Sequence, residues 1–152
     1  MTTGRDGLVA FLHEQNAKGP AATPSPENLH KEWIRALKRL FHEVREWLKP
    51  VEAEGLRVTA AEVSVDEGAG PYQAPALQIQ FQDRRVDLMP IARHIMGASG
   101  RVDMIRGTNR RVLARFAPSE WHVVRRASPD TEWESTPLTA DSLADSLREM
   151  LA

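Results

Sequence analysis

The chain contains no cysteine, which excludes disulfides, thiolate nucleophiles and cysteine-ligated zinc. No stretch approaches the roughly 20 apolar residues of a membrane span, and residues 1–7 are polar. We therefore expect neither a transmembrane helix nor a signal peptide, and we predict a cytoplasmic protein. Lysine is absent after Lys49. A nuclease-type site that combines carboxylates with a Glu-x-Lys motif is thereby excluded from the later strands.

Metal and cofactor patterns are missing as well. None of the five histidines, at positions 13, 30, 42, 94 and 122, lies in a His-x-x-x-His or His-Glu-x-x-His pattern. There is no phosphate-binding or dinucleotide-binding glycine motif. The nearest candidate is the run 97–101, in which two glycines flank Ser99 and an arginine follows. A strand rather than a helix is predicted after it, so a tight crossover that needs glycine is the better interpretation.

What the chain does contain is enough apolar sequence for one domain and an uneven charge distribution. It has 152 residues, 41% of them hydrophobic, and a net charge of -1. Residues 83–126 carry ten arginines and four carboxylates, which gives +6. The segments on either side of this basic stretch, 51–82 and 127–152, are acidic. These numbers predict a folded domain with a basic central region.

Alternation of apolar and polar residues predicts antiparallel strands. The first strand is expected over 56–65, with a bulge near Ala60 and Ala61 where the alternation changes phase. The run 77–81 alternates strictly. A two-residue loop at positions 83 and 84 would place Phe81 opposite Val86, so that both face the core.

Two further turns extend the same face. A three-residue loop over 107–109 would place Met104 opposite Val112. A turn over 117–120 with Pro118 at its second position would place Phe116 opposite Trp121. Between these hairpins, residues 90–100 are expected to form an irregular crossover, with one helical turn around 91–96.

Two helices are predicted to flank the strands. The first has Ser25 as N-cap and should end near Lys49, because Pro50 disfavours helix at the residue before it. The second has Thr139 as N-cap, and Leu138 and Leu143 form a hydrophobic staple. Residues 1–24 are predicted to form an N-terminal arm, with a short helix over 5–17 and a Pro-rich linker, ahead of a single domain over 25–152.

These elements predict an α+β fold, in which a mainly antiparallel meander of about six strands carries a long N-terminal helix and a C-terminal helix on one face. The order of elements resembles that of the small type III secretion chaperones. The resemblance concerns architecture alone, and architecture by itself does not assign a function.

Arginines and two other polar groups are the candidate binding residues. We expect an arginine-rich open sheet face, opposite the helices, together with basic turn residues and Ser99. The candidate partner-binding or anion-binding residues are Arg85, Arg111, Arg115, His122, Arg126, Arg106, Arg110 and Ser99. No catalytic residue, metal or cofactor is predicted. The first helix carries a second basic stripe, which consists of Lys31, Arg35, Lys38, His42, Arg45 and Lys49.

The favoured hypothesis is a non-catalytic protein-binding module, an accessory, chaperone-like or immunity-type protein that occupies a partner's surface. Sheet edges offer a second route to a partner by strand addition, and a homodimer is compatible with the sequence. Nucleic-acid binding by the basic surfaces is the alternative, but the aromatic residues of the sheet are predicted to be buried rather than available for base stacking. An enzyme with dispersed residues, such as a pocket lined by His94, Ser99 or His122, is the second alternative.

Overall fold

The computed structural model describes residues 26–68, 70–93, 98–125, 130 and 132–152. Contacts divide the chain into two compact units, Met1–Glu32 and Trp33–Ala152. The predicted arm over 1–24, with its short helix and linker, lies outside the described residues, and so do Arg126 and His94. The second unit contains the sheet, the apolar sides of both helices that pack on it, and the candidate site.

The fold is α+β, as the sequence predicts. All strands form one antiparallel sheet in chain order, with β1 and β7 at its edges. The described residues form seven strands rather than about six, because β7 consists of exposed polar residues that carry no alternating apolar signal. The elements are α1 (Pro26–Glu52), β1 (Leu56–Asp66), β2 (Pro71–Phe81), β3 (Arg84–Ala92), β4 (Arg101–Arg106), β5 (Asn109–Ala117), β6 (Glu120–Arg125), β7 (Glu134–Pro137) and α2 (Ala140–Leu151).

Helix α1 begins at Pro26, as expected for a proline at the first helical position, but it continues past Pro50 to Glu52. Proline is tolerated there because it lies in the last turn, where few further helical hydrogen bonds depend on it. The chain turns into β1 at Gly55, whose φ of +97° favours glycine. None of the described helices is long and apolar enough to span a bilayer.

The β1–β2 hairpin is paired without interruption from Leu56↔Phe81 to Asp66↔Pro71. The predicted bulge near Ala60 is therefore wrong. The alternation does change phase, but it does so in both strands at the same paired positions. Leu56, at an even-numbered position, is buried at one end of β1, and Val65, at an odd-numbered position, is buried at the other end. A twisted two-stranded ribbon can bury first one face and then the other without a register shift.

The β2–β3 loop consists of Gln82 and Asp83, one residue earlier than predicted. Phe81 therefore pairs with Arg84, and Val86 pairs with Ile79. Moving a two-residue loop by one position changes each cross-strand partner by two residues, which preserves the face. Val86 is accordingly fully buried, on the side that the alternation predicts.

The β4–β5 turn overturns the predicted register. Arg106 pairs with Asn109, so the loop contains two residues, and its first is Gly107 with φ +59°. Met104 now lies opposite Arg111 rather than Val112. A change of one residue in loop length reverses the faces of the whole of β5.

The consequence is visible along β5. Leu113 is fully buried among the core residues, whereas Val112 lies on the face away from the helices. Ala117 pairs with Glu120 across the predicted Pro118 turn, but an irregularity between Arg115 and Ala117 leaves Phe116 unpaired. Phe116 is 45% exposed, so its predicted burial is wrong.

The core fills the space between the helices and one sheet face. Apolar residues from both helices and all strands from β1 to β6 form one cluster. Trp33 stacks on Trp121 with ring centroids 6.2 Å apart. A Cβ atom on Gly100 would lie 2.3 Å from Cζ3 of Trp33, so this glycine permits the crossover to approach the indole closely. That contact agrees with the crossover interpretation at Gly100. Residues 94–97 lie outside the described residues, and Ile91 and Ala92 belong to β3 rather than to the predicted helical turn.

Helix α2 forms as predicted, with Thr139 as its N-cap. The Thr139 hydroxyl accepts a hydrogen bond from the Ser142 backbone N–H at 3.1 Å, and the Ser142 hydroxyl accepts one from the Thr139 N–H at 2.8 Å. This capping box satisfies two N–H groups at the start of the helix. Leu143 and Leu147 are buried, which orients the helix on the sheet.

Candidate functional site

The sheet face opposite the helices, hereafter the open face, carries fewer of the predicted arginines than expected. Arg85 and Arg110 lie on it, together with His122. Arg111 and Arg115 lie on the core-facing side, because β5 is reversed relative to the predicted register. The prediction that these two arginines are exposed on the open face is wrong.

A buried carboxylate lies at the centre of the open face. Asp103 is fully buried and accepts hydrogen bonds from Arg101 Nε at 2.7 Å and from Arg101 Nη2 at 3.0 Å. Arg110 Nη1 donates a third, at 3.1 Å. The hydrogen bond from Arg101 raises the pKa of that guanidinium above its ordinary value. Two arginine charges of the open face are therefore used to hold one aspartate.

Arg85 forms an ion pair with its neighbour on β3, although the buried Oδ1 of Asp87 accepts no hydrogen bond from the described residues. Its Nε lies 3.0 Å from Oδ1 of Asp87. Arginines and aspartates that alternate along neighbouring strands can form ion pairs with one another. Arg85–Asp87 and Arg101–Asp103 each join residues of one strand, and Arg110–Asp103 joins two neighbouring strands.

Three arginines on the helix side of the sheet anchor α2. Arg106 Nη1 donates to the carbonyls of Met150 at 2.6 Å and Ala152 at 3.2 Å. Arg84 Nη1 donates to the carbonyl of Leu151 at 3.1 Å, and these cations lie at the negative end of the helix dipole. Arg111 binds the carboxylate of Glu149 and thereby lowers the pKa of that glutamate.

Arg115 and Ser99 form a structural joint between the crossover and β5. Arg115 is only 3% exposed. Its Nε donates to the carbonyl of Pro118 at 3.2 Å, and its Nη1 donates to that of Ser99 at 3.4 Å. The Ser99 hydroxyl in turn donates to the Arg115 carbonyl at 3.2 Å. Both groups, predicted as anion ligands, thus bind backbone carbonyls of the protein itself.

His122 is a second polar side chain on the open face that its neighbours hold in place. Its Nε2 lies 2.9 Å from Oε1 of Glu120, and its Nδ1 lies 2.8 Å from Oγ of Ser135. The ring of Phe116 packs edge-on against the imidazole with centroids 5.1 Å apart. Glu120 and Ser135 were not among the predicted residues. The pairing of β6 with β7 brings Ser135 to His122, and β7 carries no sequence signal.

The exposed side of α1 is the second basic surface. We call Arg35, Lys38, Arg39, His42, Arg45 and Lys49 the cationic face; all six are exposed. Lys49 pairs with Glu46 at 2.7 Å and lowers the pKa of that carboxylate. Within the described part of the chain, no ion pair or side-chain hydrogen bond is formed by Arg35, Lys38, Arg39 or Arg45. The exposure predicted for the helical stripe is confirmed from Lys31 to Lys49.

One cavity lies beside two of the predicted arginines, since Arg110 and Arg111 are among its lining residues. Three cavities lined by described residues have volumes of about 370, 230 and 180 Å³. The second is apolar and lies between the end of α1 and α2, where Val51, Phe81 and Leu147 line it. None of these three is lined by Ser99 or His122.

No protein-family model, curated protein or solved structure matches this chain. The candidate site is therefore defined by its own geometry alone.

Proposed function

We propose that this protein is a protein-binding module that acts by occupying an acidic surface of a partner through the cationic face of α1. The observation that carries the proposal is the contrast between its two basic surfaces. On the sheet, Arg85, Arg101 and Arg110 are paired with aspartates. On the helix, four cations have no carboxylate partner among the described residues.

The spacing of the helical cations supports one continuous contact. Positions 35, 38, 42, 45 and 49 recur at intervals of three and four and therefore project from one side of the helix. From Arg35 to Lys49 this side extends over roughly 21 Å, at 1.5 Å per residue. That length suits a partner helix or a sheet face with an acidic surface.

Mixed charge on the same helix favours a protein partner over nucleic acid. Glu43 and Glu46 lie among the cations and are exposed. Carboxylates at these positions would repel a continuous phosphate backbone, whereas a protein surface can place a cation opposite each of them. Phe116 is an exposed aromatic, but it lies on the open sheet face, which the helices leave uncovered, and not on α1.

The test is a charge-reversal comparison made with the full chain in extracts of its native host. The test variant is Arg35→Glu, Lys38→Glu, Arg45→Glu. The matched control, Arg57→Glu, Arg85→Glu, Arg148→Glu, changes the charge by the same amount at exposed positions elsewhere. Proteins retained by each form are identified by mass spectrometry, and the binding of the purified partner is then measured as a function of salt.

We expect an acidic partner that the control retains and the helix variant loses, with an affinity that falls as salt rises. Equal retention by both variants would exclude the cationic face as the binding surface. Binding of short DNA or RNA with a steep salt dependence, abolished only in the helix variant, would instead support the nucleic-acid alternative.

A further inference from the structure

We propose that Ser135 is an activated nucleophile that accepts acyl groups from activated esters, with His122 as its general base and Glu120 as the residue that positions the base. This activity is independent of the binding function of α1. The three side chains come from β6 and β7 and share the open face. Nucleophile, base and orienting group each lie within hydrogen-bond distance of the next, which is the arrangement that nucleophilic catalysis requires.

The chemistry of the two ring nitrogens determines the direction of the hydrogen bonds. An ionised carboxylate can only accept, so Nε2 of His122 carries the proton that is donated to Oε1 of Glu120 at 2.9 Å. In a neutral imidazole Nδ1 then holds the lone pair. The Ser135 hydroxyl at 2.8 Å must therefore donate to Nδ1. The two ring nitrogens exchange the roles that they have in the Ser-His-Asp triad, but the lone pair still faces the serine hydroxyl and can accept its proton.

The imidazole is held in place while the serine is accessible. The His122 side chain is only 16% exposed, and Phe116 packs edge-on against its ring. Ser135 itself is exposed. A fixed base beside an exposed hydroxyl permits an ester to approach the oxygen without displacing the hydrogen bond that activates it.

The backbone supplies a donor for the developing oxyanion. Leu138 N–H donates to the Trp121 carbonyl at 2.8 Å across the β6–β7 pair. Antiparallel strands alternate between hydrogen-bonded and non-hydrogen-bonded pairs, so Pro137 and Ser135 both fall on non-hydrogen-bonded positions. Proline suits such a position because it has no N–H. The Ser135 N–H consequently points to the outer edge of β7, next to its own side chain.

The reaction balances without any additional cofactor. Ser135 Oγ attacks the carbonyl carbon of an aryl ester while its proton passes to Nδ1 of His122. The bond from that carbon to the aryl oxygen breaks, the phenolate leaves with the electron pair, and His122 returns its proton to the phenolate or to water. Water, deprotonated by His122, then attacks the carbonyl carbon of the acyl-serine. The bond from that carbon to Ser135 Oγ breaks, Oγ takes the proton back from His122, and the carboxylic acid is released.

The exposure of the site limits the class of substrate. Glu120 and Ser135 are both in contact with solvent, so the oxyanion is stabilised less than in a water-excluded active site. Esters with good leaving groups are therefore the expected acyl donors, and deacylation is expected to be the slower step.

p-Nitrophenyl acetate is the probe for the first experiment, with phenolate release followed by absorbance. The acetylated residue is located by mass spectrometry of peptides. We expect acetylation of Ser135 in the full chain and its loss in Ser135→Ala. Ser64→Ala is the matched control, because Ser64 is also an exposed strand serine and has no histidine partner in the described structure. His122→Gln should slow acylation by about tenfold or more.

Glu120→Gln tests the positioning role with a readout that stability alone does not change. An amide at this position can donate to Nε2, which would shift the imidazole towards the other tautomer. Nitrogen-15 NMR of His122 should show a proton on Nε2 in the unmodified chain and a shift towards Nδ1 in Glu120→Gln. Acylation should fall in parallel, with the melting temperature and circular dichroism spectrum retained.

The proposal is overturned by acetylation that maps to lysines or to Ser64 as readily as to Ser135, or by Ser135 acetylation that His122→Gln leaves unchanged. A His122 variant that fails to fold does not prevent the test, since the Ser135→Ala comparison and the histidine tautomer are measured on chains that retain the imidazole.

Discussion

Arg106 in β4 donates a 2.6 Å hydrogen bond to the carbonyl of Met150 in the last turn of α2. The two residues are 44 positions apart in the chain. Their hydrogen bond holds the last turn of α2 against the sheet. Arg84 supplies a second donor to the same turn, at the carbonyl of Leu151. Unpaired carbonyls at a helix C-terminus are thereby satisfied by guanidinium groups rather than by water.

Replacing Arg106 with methionine should destabilise the protein by about 1–2 kcal/mol, because charge-assisted hydrogen bonds to helix-terminal carbonyls and their interaction with the dipole are lost. The change is measured as a shift in urea midpoint. Arg148→Met is the control, since its side chain is 79% exposed and lies 3.7 Å from Asp145, a surface pair that should contribute almost nothing. Similar midpoints for both variants would show that the anchor does not stabilise the helix.

Asp103→Asn tests the buried carboxylate of the open face. The change keeps the shape but removes the charge that holds Arg101 and Arg110. Complete loss of a fully buried pair costs about 3–5 kcal/mol. Since the two arginines are 34% and 56% exposed and can regain water, we expect about 2 kcal/mol in chemical denaturation.

Asp87→Asn is the control for Asp103, because Asp87 has a single arginine nearby and is 24% exposed. Its cost should stay below about 1 kcal/mol. An equal loss of stability in both variants would show that burial under two guanidinium groups does not make Asp103 more important for stability than Asp87.

Tyr72 should make stability depend on pH at alkaline values. Burial, and then its hydrogen bond to Glu67, raise the pKa of Tyr72 from 10.0 to about 12, while the indole of Trp33 donates to its hydroxyl at 3.2 Å. The folded-state pKa lies above the unfolded one. The neutral phenol therefore stabilises the fold fully below pH 10, and this contribution is lost as pH rises through about 12.

Because Tyr72 is only partly buried, the loss should be on the order of 1 kcal/mol rather than the full value of the shift. It is the only tyrosine of the chain, so the phenolate absorbance reports its titration directly. Glu67→Gln should lower the measured pKa towards 10 without abolishing the part caused by burial. A measured pKa near 10 for Tyr72 in the unmodified chain would contradict the effect of burial and of the hydrogen bond to Glu67.

Local sequence was sufficient to predict α2. Thr139 and the apolar spacing of Leu143 and Leu147 specify where α2 begins and which side it buries, because capping and helical periodicity act over a few residues. The end of α1 lies at Glu52, beyond the predicted end near Lys49. Pro50 disfavours helix, but packing of Leu48 in the core retains the last turn, and Gly55 ends it.

The candidate site was only partly predictable for a related reason. The basic stripe of α1 follows from helical spacing alone. Ser135 could not be identified because Glu134–Pro137 lacks alternation, and its meeting with His122 depends on pairing between β6 and β7. Asp103 had a recognisable signal, an aspartate between arginines on a strand, but its burial depends on Arg110 from the neighbouring strand.

From the amino-acid order alone came the α+β class, the succession of antiparallel strands, the capped terminal helix and the basic side of α1, since all of these depend on interactions between residues close in the chain. Only the tertiary structure decided which way β5 faces. Gly-Thr-Asn at 107–109 permits loops of two or three residues, and both Val112 and Leu113 are apolar enough for a core. Packing of Leu113 between the sheet and the helices, together with Arg111 on Glu149, selects the shorter loop. Because side chains in a strand alternate between the two faces, a loop shorter by one residue turns Arg111 and Arg115 towards the helices. Within the described part of the chain, four cations that lack a carboxylate partner then lie on α1.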